Sequence, residues 1–114
     1  MTLAFSETTN FMQYRDEYFV TDGAYSAVQQ ALLSDPQAGP VMRGCGGLRK
    51  MRWSDPRRSK GKRSGLQIIY LYLPEAQRIV FMDVYDKDEA DDLTPEERKE
   101  YAAIAQIIRL EFQQ

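Results

Sequence analysis

The sequence predicts one small α+β domain, a mainly antiparallel sheet with two helices before it and one after, in the order β-α-α-β-β-β-α. Three observations predict it. Apolar residues recur at helical spacing near both ends of the chain. The middle holds two runs rich in Ile, Val, Phe and Tyr, Leu66–Leu73 and Arg78–Tyr85, joined by four residues. The length of 114 residues suits one core and is too short for two.

The elements follow in order. Leu3–Phe5 is a short first strand, with Ser6 or Thr9 starting a first helix through Phe11, Met12, Tyr14, Arg15 and Tyr18. Asp22 has the residue type of an N-cap for a second helix. Its apolar stripe is Ala24, Tyr25, Val28, Ala31 and Leu32. Asp35-Pro36 ends it, because a residue before proline is pushed out of the helical region. A strand at Leu48–Trp53 alternates with period two. Leu48, Lys50 and Arg52 share one face, and Arg49, Met51 and Trp53 share the other, with Met51 and Trp53 towards the core. Ser54–Gly65 is polar, basic and glycine-containing, so it reads as a loop. Pro74-Glu75-Ala76-Gln77 turns the hairpin between the two long strands. On the second, Val80, Met82 and Val84 share one face. Ile79, Phe81, Asp83 and Tyr85 share the other, and Lys87 continues that row. Thr94, Pro95 and Glu97 form a capping box with proline at the first helical position. Tyr101, Ile104, Ala105, Ile108 and Phe112 are the buried stripe of the last helix.

Composition excludes several chemistries. There is no histidine, so imidazole takes no part in catalysis. One cysteine, Cys45, excludes an internal disulfide and a cysteine-rich metal site and reads as inert. Any acid or base is Lys, Arg, Tyr, Asp or Glu. No run of about eighteen apolar residues exists, and charges interrupt the place where a signal peptide's apolar region would lie. A cytoplasmic protein is the simplest reading. The acidic run Asp83–Asp92 offers oxygen ligands of the kind magnesium takes, but it contains Lys87 and reads better as a helix-capping loop.

The net charge of −2 conceals an asymmetry. Arg43 to Arg63 contains nine basic residues against Asp55 alone, a local +8, while the remaining six basic and sixteen acidic residues carry −10. Folding does not require such a map. It suggests a polyanionic partner at one surface, with a solvated basic loop as the alternative. Tyr70, Tyr72 and Tyr85 have the rings to stack on bases; core packing is the competing expectation for the first two.

Several segments together carry a resemblance. They are Tyr14-Arg15-Asp16-Glu17-Tyr18, Gly46-Gly47-Leu48-Arg49-Lys50-Met51-Arg52, Lys60-Gly61-Lys62-Arg63-Ser64-Gly65, Ile68-Ile69-Tyr70-Leu71-Tyr72, Val84-Tyr85-Asp86-Lys87-Asp88-Glu89 and Asp92-Leu93-Thr94. In order and spacing they resemble the RelE/HigB toxins of type II toxin–antitoxin systems, the HigB branch above all. The resemblance covers nearly the whole chain. It implies a RelE-like fold and ribosome-dependent endoribonuclease activity, an mRNA interferase that inhibits translation. It also implies a cognate antitoxin, a helix-turn-helix HigA-like protein, besides the ribosome and mRNA as partners. The implied chemistry uses the substrate's own 2′-hydroxyl, needs no metal or cofactor, and leaves a 2′,3′-cyclic phosphate and a 5′-hydroxyl.

That reaction requires a base, cations for the phosphorane oxygens and an acid for the leaving oxygen. Lys50 and Arg52 match the family's paired basic positions. Positive neighbours disfavour a lysine's charged form, which makes Lys50 a candidate base, whereas Arg52 stays protonated and suits a phosphate clamp. Lys87 matches a basic position after the last strand, as acid or further clamp, and Tyr85 lies nearest the expected site. Arg49, Arg57, Arg58, Lys60, Lys62 and Arg63 are expected to hold RNA backbone. Gln67 stands where many relatives carry an arginine, and Asp88 where shorter relatives have a second basic residue. Losing one transition-state contact costs on the order of a hundredfold in rate. Two other readings therefore stay open: a family member that binds RNA without cleaving it, and a ParE-like poison of gyrase, which has no need of the basic strand face.

Overall fold

The computed structural model describes residues 2–56, 65–86 and 93–113. Within them the chain runs β1 (Ala4–Glu7), α1 (Thr9–Tyr18), α2 (Asp22–Ser34), β2 (Arg49–Trp53), β3 (Leu66–Leu73), β4 (Arg78–Asp86) and α3 (Pro95–Glu111). Among the described residues this is an α+β fold with three helices and one four-stranded sheet in the order β1-β4-β3-β2. β2, β3 and β4 are antiparallel neighbours, and β1 joins β4 in parallel, so the sheet is mixed. No helix among the described residues is long and apolar enough to cross a membrane.

Hydrophobic burial on both faces organises the domain. Phe11 and Tyr18 of α1 and Val28 and Leu32 of α2 pack with Leu66, Ile68, Tyr70, Ile79, Phe81 and Val84 on one face. Ala105 and Ile108 of α3 cover Ile69, Leu71, Val80 and Met82 on the other, together with Met42, Cys45 and Leu48. The central strand β3 is buried on both sides, which accounts for its unbroken apolar run apart from Gln67. On β2, Leu48 and Met51 go to opposite clusters, as period two requires.

Local signals set the helix ends, with small shifts from the sequence reading. Thr8 caps α1 by accepting from Phe11 N, so the helix begins between the two expected starts. Thr21 caps α2, and Asp22 occupies the first helical position, where its charge favours the helix N-terminus. The Thr94–Glu97 capping box of α3 is complete in both directions. The hairpin turn is a 3-10 turn at Pro74–Ala76 followed by Gln77 with φ of 50°.

β4 departs from simple alternation. Tyr70 pairs with Phe81 and Ile69 with Asp83, leaving Met82 as an extra residue, a β-bulge. The faces therefore exchange partway along the strand. Ile79, Phe81 and Val84 go to the α1/α2 side, while Val80 and Met82 go to the α3 side, where Tyr85 also packs. This corrects the expected rows: Val84 does not continue the face of Val80, and Tyr85 does not continue that of Phe81.

Candidate active site

Cross-strand register builds the site. Arg52 pairs with Gln67, and Gln67 pairs with Tyr85, so the three form one row across β2, β3 and β4. The next row is Lys50, Ile69 and Asp83. Neighbouring strands lie about 4.8 Å apart, and residues two apart on one strand roughly 7 Å. Lys50, Arg52, Gln67 and Tyr85 thus occupy one patch of sheet on the α3 side. The bulge is what puts Tyr85 there.

The patch is graded in exposure. Arg52 is exposed, Lys50 and Tyr85 are half-buried, and Gln67 is only 4% exposed. Among the described residues, Gln67 Oε1 has no hydrogen-bond partner. A buried amide oxygen left unpaired costs about 1–3 kcal/mol, so it is an acceptor waiting for a donor.

Two cations outside the expected set, Arg43 and Arg98, join the rim of the site. Lys50 and Tyr85 line a cleft of about 180 Å³ whose other walls are Pro40 to Arg43, Leu93 and Arg98. Arg43 is carried there by a short hairpin. Lys50 N donates to Pro40 O at 3.0 Å and Met42 N to Leu48 O at 2.8 Å. Arg98 arrives from the start of α3, where its Nη1 donates to Arg43 O at 2.6 Å. Arg43 was visible as one of the nine basic residues. Arg98 gives no local signal, because its placement rests on a contact 55 residues away. Among the described residues, Arg43, Lys50 and Arg98 make no ion pair with one another's neighbours or any other carboxylate; the pairs present are Arg15 with Glu7 and with Asp16.

Asp83 sits at the inner margin of the patch. Burial pushes its carboxyl above the usual value, opposed by hydrogen bonds from Tyr101, Val84 and Asn10. The Tyr101 hydroxyl donates to Oδ2 at 3.1 Å and Asn10 Nδ2 to Oδ1 at 2.8 Å. Tyr101 is itself raised, by burial first and then by the nearby Asp83 charge. Asp83 and Asp86 lie either side of the sheet by their alternation beyond the bulge, so they do not form a shared ligand pair.

Other expected residues fall elsewhere. Arg49 lies on the α1/α2 side of β2, and its Nη1 donates to Gly39 O at 2.8 Å and Gln37 O at 3.4 Å, so it is not brought to the patch. Tyr70 is fully buried; its hydroxyl donates to Pro36 O at 2.8 Å and accepts from Gly39 N at 3.0 Å. Tyr72 packs against the α1/α2 core. Cys45 is buried. Lys87 and Asp88, and the loop cations Arg57, Arg58, Lys60, Lys62 and Arg63, lie outside the described residues. No protein-family model matches this chain.

Proposed function

We propose that this chain is a ribosome-dependent endoribonuclease of the RelE/HigB toxin type, which cleaves translated mRNA and is silenced by a cognate antitoxin. The observation that carries the reading is the alignment of Arg52, Gln67 and Tyr85 across three strands, with Lys50 in the next row. The β-α-α-β-β-β-α order and the resemblance of the segments around these residues support it.

The chemistry fits these side chains. The Lys50 amine takes the proton of the 2′-hydroxyl, and the 2′-oxygen attacks the adjacent phosphorus. The phosphorus–O5′ bond breaks, giving a 2′,3′-cyclic phosphate. The departing O5′ receives a proton from an acid, for which Tyr85 is the described candidate and Lys87 the one implied by resemblance. Arg52 binds non-bridging oxygens through its planar fork. Gln67 contributes a hydrogen bond without charge.

The test is to induce the isolated chain in bacteria and map mRNA 5′ ends with and without translation. New ends bearing 5′-hydroxyls on translated messages alone are expected. The Lys50→Ala/Arg52→Ala double variant, shown to be folded, should lose at least about a hundredfold in cleavage. Growth arrest with intact messages overturns the reading. The neutral Gln67 favours one other reading, an RNA-binding relative without nuclease activity; ribosome binding with no new 5′ ends would select it.

A further inference from the structure

The rim of the patch holds more positive charge than a single reacting phosphate requires. Arg43, Lys50 and Arg98 line one cleft, and none forms an ion pair with another described residue. Like charges gathered beside low-dielectric walls repel one another, and an anion between them relieves that cost. The arrangement is also held in place. Arg98 is anchored through Nη1 to the Arg43 carbonyl and the Cys45 sulfur, so among the described residues the rest of its fork is left to meet a phosphate. The walls are not only ionic: Tyr85, Val41 and Leu93 supply an aromatic ring and apolar surface. Cations with an aromatic platform match a phosphate joined to a planar base.

We infer that the cleft between the Pro40–Arg43 segment, β2 and the start of α3 is a subsite for a nucleotide flanking the scissile one. Arg43 and Arg98 hold its phosphate, and Tyr85 and Leu93 pack its base. Lys50 stands between this subsite and the reacting phosphate. That the nucleotide flanks a scissile one rests on the ribonuclease reading, but binding itself does not depend on cleavage.

The test separates the two. The full chain is titrated with a 2′-O-methyl trinucleotide, which lacks the attacking hydroxyl, and binding is followed by amide NMR shifts. Shifts are expected at Val41 to Arg43, Lys50, Tyr85, Leu93 and Arg98. Arg43→Ala and Arg98→Ala should each weaken binding by on the order of tenfold, and Arg98→Lys should recover part of it. Lys99→Ala removes equal charge from the exposed neighbouring position of α3 and should leave affinity nearly unchanged. Equal effects of Lys99→Ala and the two arginine variants overturn the subsite and leave only net charge. Shifts of the same size with inorganic phosphate alone overturn the base contact. Should Arg98→Ala fail to fold, the exposed Arg43 still decides the matter. Trinucleotide binding without cleavage of translated mRNA would sink the nuclease reading and keep the cleft; cleavage without these shifts would do the reverse.

Discussion

Gln67 sets the proposed chemistry against folding. Its Oε1 is buried and unpaired between Arg52 and Tyr85, so the folded state bears a cost that an apolar side chain would not. Gln67→Leu should raise stability by about 1 kcal/mol, a gain of roughly 4 °C in Tm. The same variant should lower mRNA cleavage, and undiminished cleavage in a stabilised variant would remove Gln67 from the site. Asp83 shows a second tension. Burial raises its folded-state pKa above the ordinary value of 3.8. Between that value and the raised one, the folded state binds more protons than the unfolded state, so stability falls as pH rises through the window. Above the raised pKa the penalty is constant. Asp83→Asn keeps an acceptor for Val84 and Asn10 and a donor towards Tyr101, and it should remove this part of the pH dependence. Denaturant melts from pH 3.5 (about the lower limit) to neutrality check it: wild type should lose stability relative to the variant on the way up, and parallel curves would refute the assignment.

At the scale of elements, α3 links the site to the fold through two features. Its capping box fixes where the helix starts and hence where Arg98 lies. Thr94→Ala should cost about 1 kcal/mol in thermal or denaturant unfolding. Gly46 lets the chain pass against α3: its φ is 70°, and a Cβ there would lie 3.0 Å from the Ala102 Cα. Gly46→Ala should therefore destabilise by about 1–3 kcal/mol and displace the helix that carries Arg98. Much of this architecture was legible. The Thr94–Glu97 capping box, the period-two strand β2 and the apolar β3–β4 hairpin each announce themselves within a few residues, whereas the caps of α1 and α2 fell one residue from their expected places. The Lys50–Arg52 face was legible for the same reason. The bulge was not, because Val80, Met82 and Val84 read as an uninterrupted apolar row. Of the expected buried stripe, Ala105 and Ile108 meet the sheet, while Ile104 at its edge is 38% exposed. Arg98 was illegible because a helix's charged first turn looks the same whether it meets solvent or a distant carbonyl.

At the scale of the whole molecule, the proposed RNA binding depends on where positive charge gathers. Among the described residues, Arg43, Lys50 and Arg98 share one cleft and Arg52 stands one row from Lys50, so a polyanion meets attraction at this patch. Binding through Arg43, Lys50, Arg52 and Arg98 should fall with salt at a log–log slope of about −2 to −3 for single-stranded RNA. Affinities measured between about 50 and 200 mM salt check this, and a flat dependence would exclude these cations as phosphate contacts. The bulge at Met82 reaches just as far, because it sets the parity of the sheet. A strand has two faces, and counting residues decides which side chain serves which. One added residue allows the same short strand to give Phe81 to the core beneath α1 and α2 and Tyr85 to the opposite surface. Removing it would exchange those assignments for every position from Asp83 to Asp86. Val84 would turn to the α3 side, and Tyr85 would turn into the core beneath α1 and α2. The length of this strand is therefore under a stricter constraint than its composition: many substitutions leave the parity intact, and a single deletion does not.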